Sequence, residues 1–245
     1  VEAGHEVVLF APDSRPWNRA SQSIHFESWD ASAHSNQELV QRLRSLTPEI
    51  DVLHSMVALP ADFEQSLSTP TLTTIHGNGQ PGEKFSPWSV FVSADHASRH
   101  GSRTFVWNGL DPSEFKFEDG SSGSKQALGV RRFGFLSKTS WGVKNLRGAA
   151  KLCWEAGVPL QIAGGSRPYS VRLMAALKKN WKWWGPVSGQ SKAEFLAGSL
   201  ALLFPVLWDE PFGLVVAEAL FSGTPVLATP KGSLRELVSE QVGRL

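Results

Sequence analysis

Residues 201–228 read A-L-L-F-P-V-L-W-D-E-P-F-G-L-V-V-A-E-A-L-F-S-G-T-P-V-L-A, and this stretch decides the fold. It opens with an apolar run, Ala201–Phe204, that is predicted as a strand. A loop with two acidic residues and a Pro-Phe-Gly turn follows, and a helix is predicted to begin near Gly213. A second apolar run, Pro225–Ala228, closes the stretch. A strand, a helix and a strand in this order predict a parallel βαβ unit.

The same alternation runs along the rest of the chain. Most apolar runs are continuous rather than alternating, which is typical of parallel strands buried on both faces. Capping boxes at Ser35/Glu38 and Ser191/Glu194 predict two of the helix starts. We therefore expect an α/β fold with doubly wound parallel sheets. The predicted strands are His5–Phe10, Asp51–His54, Leu72–Ile75, Ser89–Ser93, Thr104–Trp107, Arg132–Leu136, Leu160–Ala163, Trp183–Val187, Ala201–Phe204 and Pro225–Ala228.

One polar, low-complexity run divides the chain. Residues 118–124 read E-D-G-S-S-G-S, which is typical of a surface linker. We therefore predict two domains, residues 1–115 and residues 116–245. The chain begins on what resembles a helix end, Val1–Gly4, and stops in what resembles a strand, Val242–Leu245. Both ends are accordingly interpreted as cut.

Composition and charge narrow the functional classes. The 245 residues are 41% hydrophobic and 19% charged, as in globular proteins with a core, and carry a formal net charge of +1. Without a long basic run, no nucleic-acid partner is expected. The single cysteine, Cys153, fits a reducing compartment, so a cytoplasmic location is expected. No apolar stretch approaches the roughly 20 residues of a membrane span; peripheral membrane contact stays open.

The segment from Glu210 to Glu218 has the features of an anion site. A helix that begins near Gly213 exposes unpaired N–H groups and the positive end of its dipole at the carboxyl edge of a sheet. Glu210 lies in the loop, Glu218 more than a turn into the helix, and carboxylates accept hydrogen bonds from sugar hydroxyls. A carboxylate that merely complements the helix dipole is the alternative.

This segment resembles the E-x7-E motif of the family 4 glycosyltransferases, which have the GT-B fold. Both glutamates, the Pro-Phe-Gly turn and the Gly-Thr-Pro-Val strand fall in order. The resemblance implies two Rossmann-like domains facing across a cleft, here without the family's N-terminal strand and closing C-terminal helices. It also implies that Glu210 contacts the transferred sugar and Glu218 the ribose. The N–H groups of Phe212, Gly213 and Leu214 would face the sugar and the diphosphate.

Two further segments match the family's donor side. In the stretch from Phe135 to Asn145, Lys138 stands where the family usually has an arginine and Lys144 where it has a lysine, and the resemblance implies that both grip the diphosphate. Gly164 and Gly165 match a glycine-rich turn near the donor, since backbone close to a ligand needs residues without bulk. The alternative for the two lysines is a solvated surface role.

Two further segments resemble segments that border the cleft in this family. Val106–Pro112 resembles its P-N-G-x-D segment with Trp107 in place of the proline, which implies that Asn108 borders the donor; an ordinary turn is the alternative. The strand that ends at Ile75 leads into His76, which the resemblance places near the anomeric carbon of the sugar. Histidine can exchange protons near neutral pH, whereas a packing role is the alternative.

The resemblance implies a retaining transfer of a sugar from a nucleotide-diphosphate donor to an acceptor hydroxyl, with His76, Glu210 and Lys144 as catalytic residues. A UDP-sugar is preferred over a GDP-sugar, and a glycan, a lipid or a small molecule can be the acceptor. No cofactor is expected. No metal is expected either, because the chain has no Asp-x-Asp pair and no zinc-ligand spacing.

Other functions stay open beside this one. A non-catalytic module that binds nucleotide sugars is the main alternative. An epimerase or a phosphorylase is a weaker rival with the same fold. The mixed lysine and tryptophan run Lys178–Trp184 resembles membrane-surface or single-strand nucleic-acid sites, but a helix end followed by a core strand is the preferred interpretation.

Overall fold

A computed structural model of the chain describes residues 6–11, 24–28, 36–46, 50–56, 64–65, 67–80, 82–115, 132–165, 171 and 180–245. Its internal contacts divide the chain into two compact units, Val1–Thr73 and Thr74–Leu245. The linker predicted at residues 118–124, the helix end at 1–4 and the cap at residue 35 lie outside the described residues. The boundary expected between residues 115 and 116 therefore stays a prediction.

Among its described residues, the first unit holds short parallel strands and the helix α1, Asn36–Leu46. Strand β1, Val7–Ala11, pairs in parallel with β2, Ile24–Ser28. Helix α1, Asn36–Leu46, follows and buries Leu43. Strand β3, Leu53–Ser55, then pairs in parallel with the first residues of β4, Thr71–Ile75. The parallel pairing confirms the prediction made from the continuous apolar runs.

The second unit begins with the end of β4, strand β5 (Ser89–Phe91) and helix α2 (Ala94–Arg99). The strand predicted at Thr104–Trp107 is wrong: only an isolated bridge joins Phe105 to Phe91. Val106 and Trp107 are 66% and 55% exposed. The apolar run therefore lies on the surface instead of inside a sheet. The hydrophobicity of its side chains alone does not distinguish an exposed apolar segment from a buried strand.

The remaining strands form one six-stranded parallel sheet in the order β11-β10-β9-β6-β7-β8. Strands β7 and β8 lie on one side of β6, and strands β9, β10 and β11 lie on the other. The order therefore reverses between β6 and β9, where doubly wound sheets open a crevice for ligands. The strands are β6 Arg132–Leu136, β7 Leu160–Ala163, β8 Lys182–Gly185, β9 Ser199–Phe204, β10 Val226–Ala228 and β11 Gly243–Arg244.

The helices of this sheet are α3 Leu146–Glu155, α4 Gly189–Ala197, α5 Leu214–Phe221 and α6 Leu234–Leu237. The predicted capping box at Ser191/Glu194 is wrong, because α4 begins at Gly189 with Ser188 as its cap residue. Ser188 N–H donates to Ser191 Oγ at 3.1 Å. The Ser191 hydroxyl therefore accepts a hydrogen bond from the cap residue while Ser191 itself lies in the first turn of the helix. Glu194 instead accepts a hydrogen bond from Gln190 Nε2 at 2.8 Å.

Two buried apolar clusters hold the sheet. Leu136 and Leu202 belong to one cluster, and their neighbours Phe135 and Leu203 belong to the other. Because successive side chains of a strand point to opposite faces, the two clusters lie on opposite faces of the sheet. This two-sided burial explains why β6, β7 and β9 are continuous apolar runs, which the sequence predicted within two residues of their observed bounds.

Candidate active site

The candidate site lies where the loops after β6 and β9 meet. Lys144 comes from the first loop and Glu210 from the second, and Lys144 Nζ lies 2.7 Å from Glu210 Oε2. Asn145, with a left-handed φ of 58°, caps α3 and donates from Nδ2 to Pro205 O at 2.9 Å. The loops are thus joined beside the ion pair, at the point where the strand order reverses.

The Glu210 carboxylate is buried and shared. Its side chain is 8% exposed and that of Lys144 is 11% exposed. Trp208 Nε1 also donates to Glu210 Oε2, at 2.7 Å. Lys144 Nζ lies 4.7 Å from the ring centroid of Trp208 and 5.4 Å from that of Phe204, within the range of cation–π attraction. Two donors and two aromatic rings therefore fix the positions of both charges.

The loop backbone around Glu210 is held through its carbonyl groups. Four consecutive carbonyls accept hydrogen bonds: Asp209 O from Asn78 Nδ2, Glu210 O from Ser233 N, Pro211 O from Ser93 Oγ, and Phe212 O from Ser233 Oγ. No described residue accepts a hydrogen bond from the N–H groups of residues 212–214. These groups precede the first turn of α5, whose cap residue Gly213 has a φ of +88°. The carbonyls are thus bound within the protein, and the N–H groups are left for an anion.

Gly232 is required where the loops after β9 and β10 cross. Its φ is +60°, and a Cβ atom at this position would overlap Glu210 O and come within 2.5 Å of Glu210 N. Gly232 also forms a parallel bridge with Glu210. A residue with a side chain would therefore displace the backbone that carries the candidate catalytic glutamate.

Glu218 has a different setting on α5. Lys192 Nζ, from α4, lies 2.6 Å from Glu218 Oε1. The side chains are 26% and 12% exposed, so this pair is more open to solvent than the first. Phe115 lies 5.7 Å from the ammonium and packs on Phe221 with ring centroids 6.0 Å apart. The predicted ribose ligand is therefore already paired with a lysine that the sequence analysis did not select.

The other donor-side residues lie at the carboxyl ends of β6 and β7. Lys138 is exposed, and its Nζ lies 4.8 Å from the ring centroid of Trp141. Gly164 has a φ of +101°, and a Cβ there would overlap the carbonyl of Ser137. A Cβ on Gly165 would come within 2.8 Å of Thr139 Oγ1. Both glycines thus permit two loops to approach closely, and their contact with a donor stays a prediction.

His76 and Asn108 lie outside this cluster of contacts. His76 is exposed directly after β4, and Asn108 is half-buried. Asn78, two residues beyond His76, instead makes the contact: its Nδ2 donates to Asp209 O at 2.7 Å, and its Oδ1 accepts from Arg99 Nη1 at 3.0 Å. The turn after β4 is therefore joined to the Glu210 loop through an amide to which the sequence analysis assigned no role.

His96 of α2 also holds the turn after β4. His96 is fully buried, and its Nε2 lies 3.0 Å from Gly77 O. Burial, together with the nearby Arg99 and His100, lowers the pKa of His96 to about 4. The ring is therefore neutral near pH 7, with the Nε2 proton donated to Gly77 O, while Nδ1 has no hydrogen-bond partner among the described residues.

A cavity lies between this turn and the Glu210 loop. Its volume is 690 Å³. Polar and charged side chains, glycine residues and the indole of Trp208 line its wall. Among the lining residues are Asn78, Gln80, Glu83, Arg99, Trp208 and Asp209.

Several contacts were missed by sequence reasoning. Trp208 and Lys192 contact the two selected glutamates, and Asn78 and Ser93 contact the carbonyl groups on either side of Glu210, but none of the four carries a motif of its own. Trp208 lies two residues from Glu210 in the sequence and Asn78 two residues from His76, and this proximity was the one signal that could have selected them. No such signal in the sequence pointed to Ser93 or Lys192. In the part of the chain that the structure describes, no group of three or more His, Cys, Asp or Glu side chains could hold a metal ion, and no helix is long and apolar enough to cross a membrane.

Comparison with known proteins shows a resemblance to one family over the C-terminal half of the chain. Residues 131–245 match the family model described as glycosyl transferases group 1. An uncharacterized glycosyltransferase of Methanocaldococcus jannaschii is 26% identical over 151 residues, which are 56% of this chain and 38% of the relative. The chain thus spans well under half the length of the curated relative that it matches.

Solved glycosyltransferase structures resemble the whole chain. AviGT4, from avilamycin A biosynthesis, is 24% identical with a TM-score of 0.71, over 97% of this chain and 69% of its own. HepE of Anabaena, solved with UDP and glucose, is 18% identical with a TM-score of 0.69, over 89% and 71%. Sucrose-phosphate synthase of Thermosynechococcus elongatus is 16% identical with a TM-score of 0.72, over 100% and 76%. The fold is therefore that of the GT-B glycosyltransferases, and residues 131–245 are similar to the glycosyl transferases group 1 family.

Proposed function

We propose that the protein transfers a sugar, with retention of anomeric configuration and without a metal ion, from a nucleotide-diphosphate donor to an acceptor hydroxyl. The observation that carries the proposal is the buried pair of Lys144 and Glu210 at the reversal point of the sheet, in a region similar to this family. The pair places a cation and a sugar-binding carboxylate side by side at the edge where such sheets bind nucleotides.

The departing diphosphate needs positive charge as its bond to the sugar breaks. Lys144 supplies an ammonium group, and the N–H groups of residues 212–214 supply a helix N-terminus beside it. Groups that are already in place stabilise the developing charge without reorganisation. Lys138, at the exposed mouth of the loop after β6, can add a second charge to the diphosphate. This arrangement supports charge stabilisation by protein groups alone.

The two glutamates divide the donor between them in this proposal. Glu210 accepts hydrogen bonds from the transferred sugar and Glu218 from the ribose, as the resemblance implies. Retention follows from attack on the same face that the diphosphate leaves, with the leaving phosphate taking the acceptor proton. His76 is exposed after β4 and can bind donor or acceptor near the anomeric carbon. Asn108, Gly164 and Gly165 border the donor.

The donor class is proposed as a UDP-sugar. Support comes from HepE, which has been solved with UDP, with UDP and glucose, and with UDP-glucose. The acceptor is proposed to enter through the 690 Å³ cavity beside Trp208 and Asp209, which is close to the Glu210 loop. The polar side chains among its lining residues suit an acceptor that carries hydroxyl groups.

Calorimetry on the complete protein that contains this chain tests the proposal. A panel of UDP- and GDP-sugars is titrated, with and without a chelator. Removing a hydrogen-bonding partner in Lys144→Met or Glu218→Gln should weaken donor binding by about 1–3 kcal/mol. Lys151→Ala is the matched control, because Lys151 forms an exposed pair with Glu155 on α3.

The outcomes separate transfer from mere binding. Selective binding of one donor, followed by a glycosylated product whose anomeric configuration is that of the donor by NMR, supports the proposal. Binding without transfer to any acceptor, or hydrolysis, favours a non-catalytic nucleotide-sugar module. No binding of any nucleotide sugar by the folded protein refutes both functions, and a chelator that abolishes binding refutes metal independence.

A further inference from the structure

We propose that Trp208 is a positioning residue that fixes the plane of the Glu210 carboxylate, so that its second oxygen points towards the donor sugar. The inference deepens the proposed function and rests on it, because it takes Glu210 as the ligand of the transferred sugar. Neither the E-x7-E motif nor the family match assigns a role to the tryptophan two residues before the first glutamate.

The argument begins with how the two donors share the carboxylate. Trp208 Nε1 and Lys144 Nζ both lie 2.7 Å from Glu210 Oε2. Among the described residues, no side chain donates to Oε1. Because Glu210 is only 6% exposed, water does not freely compete for the bound oxygen. One oxygen is therefore bound within the protein, and the other is left for a hydroxyl of a ligand.

The indole is itself held in place, so its N–H is a fixed reference point. Trp141 meets it edge to face with ring centroids 5.9 Å apart, and the Lys144 ammonium lies 4.7 Å from its ring centroid. Backbone bonds fix both sides of it: Leu207 N–H donates to Val143 O at 2.8 Å, and Asp209 O accepts from Asn78. The ring thus orients the carboxylate rather than following it.

The role of the N–H follows from the torsional freedom of a glutamate. The terminal torsion of a Glu side chain is broad and twofold, so the carboxylate needs an outside partner to select one orientation. Lys144 alone does not select this orientation, because an ammonium group has three rotatable N–H donors and can bind a carboxylate oxygen from many directions. Without the indole N–H, the plane of the carboxylate can turn over a broad range, and the second oxygen is no longer held towards the sugar. The loss should therefore fall on the sugar of the donor and spare the nucleotide.

Trp208→Phe tests this role, with Trp184→Phe as the matched control. Phenylalanine keeps a ring against Trp141 and Lys144 but removes the N–H. Trp184 also loses a side-chain hydrogen bond, to Gln161 Oε1 at 3.2 Å, on β8 and away from the Glu210 loop. Affinities of the complete protein for UDP-glucose and for UDP are measured by calorimetry, and urea unfolding checks that each variant folds.

We expect Trp208→Phe to weaken UDP-glucose about tenfold, as for the loss of a hydrogen bond to a charged group, and to change UDP less than about twofold. Trp184→Phe should change neither. Trp208→His, which returns an N–H on a smaller ring, should recover part of the UDP-glucose affinity and covers the case in which the phenylalanine variant does not fold.

Equal losses for UDP and UDP-glucose would show that Trp208 supports the whole site, and no loss for either would show that its N–H is idle; both results overturn the inference. In these two cases the wild-type protein still binds UDP-glucose, so the proposed function stands. A wild-type protein that binds neither ligand overturns the UDP-sugar proposal and this inference together.

Discussion

Two glutamates eight positions apart are each paired with a lysine, but the pairs are built differently. Glu210 and Lys144 lie in two loops at 8% and 11% exposure, with a tryptophan N–H on the same oxygen. Glu218 and Lys192 lie on two helices at 12% and 26% exposure, next to a pair of phenylalanine rings. The first pair is therefore more deeply buried than the second, mainly because Lys192 is more exposed than Lys144.

This difference in burial suggests that the first pair is held in one arrangement, whereas the second pair has to open before its carboxylate can bind a ligand. A buried pair is costly to break, because the remaining charge is left without a partner, whereas a partly exposed pair is screened and contributes little. The first pair is therefore suited to holding groups at fixed positions for chemistry. The second can open at low cost when a ribose takes its carboxylate.

Breaking the first pair should have the largest effect. Lys144→Met leaves Glu210 buried without its cation, and we expect the free energy of unfolding to fall by about 3–5 kcal/mol. Urea unfolding monitored by tryptophan fluorescence measures the loss. A loss below 1 kcal/mol would show that the buried carboxylate does not depend on the lysine.

A double variant separates charge from packing. Lys144→Met combined with Glu210→Gln removes both charges while keeping similar volumes, so most of the lost stability should return. Donor binding and transfer should not return. If the double variant is as unstable as Lys144→Met alone, the lost packing of the lysine stem against Trp208 and Phe204 is responsible rather than the unpaired charge.

The backbone beneath Glu210 gives the next largest effect. Gly232→Ala places a Cβ against Glu210 N and O at a φ of +60°, and we expect a loss of more than about 2 kcal/mol together with weakened donor binding. Gly157→Ala is the control: its φ is +67° but no atom lies within 4 Å of the added Cβ, so only about 1 kcal/mol of conformational strain applies. Equal losses in the two variants would show that the crossing of loops at Gly232 tolerates a side chain.

Much of the fold followed from local patterns. Strands β6 and β7 have the predicted bounds, and α5 begins one residue after Gly213, because continuous apolar runs and a glycine turn leave few alternatives. Thr104–Trp107 was predicted wrongly as a strand because its burial depends on distant parts of the chain. The start of α4 was missed because a serine inside a helix can form the same local hydrogen bonds as a serine at its cap.

The site was predictable only in part. The motif selects Glu210, Glu218 and Lys144 as separate residues, and the structure adds that each glutamate is already paired with a lysine. Lys192 and Ser93 could not be selected, since their partners are 26 and 118 residues away in sequence. Spatial pairing over such separations leaves no trace in one sequence without an alignment. The functional roles of all these residues stay predictions.

Acidification should loosen the support of the first pair. His96, with its pKa lowered to about 4, holds the turn whose Asn78 binds Asp209 O. The unfolded chain has a histidine pKa near 6.5 and binds the proton more readily, so this residue's contribution is complete above that pH. The contribution falls as the pH drops from about 6.5 towards 4, by about 2 kcal/mol between pH 7 and pH 5.

His96→Gln tests this source of pH dependence. Glutamine can still donate to Gly77 O but does not titrate in this range. Urea unfolding at pH 7 and pH 5 should show a smaller pH-dependent loss in the variant than in the wild type, whatever its stability at pH 7. Identical pH-dependent losses in both proteins would mean that His96 titrates normally in the folded state.

Breaking the second pair should have the smallest effect, which completes the comparison. Lys192→Met removes a partly exposed cation from Glu218, and we expect the free energy of unfolding to change by less than about 1 kcal/mol. If the pair opens for the ribose, its removal should also change UDP affinity by no more than about fivefold, since opening costs no more than the pair contributes. A loss of more than tenfold in UDP affinity at unchanged stability would assign Lys192 a direct contact with the nucleotide. The second pair would then be part of the binding site itself, and Glu218 would hold its lysine in place as firmly as Glu210 holds Lys144.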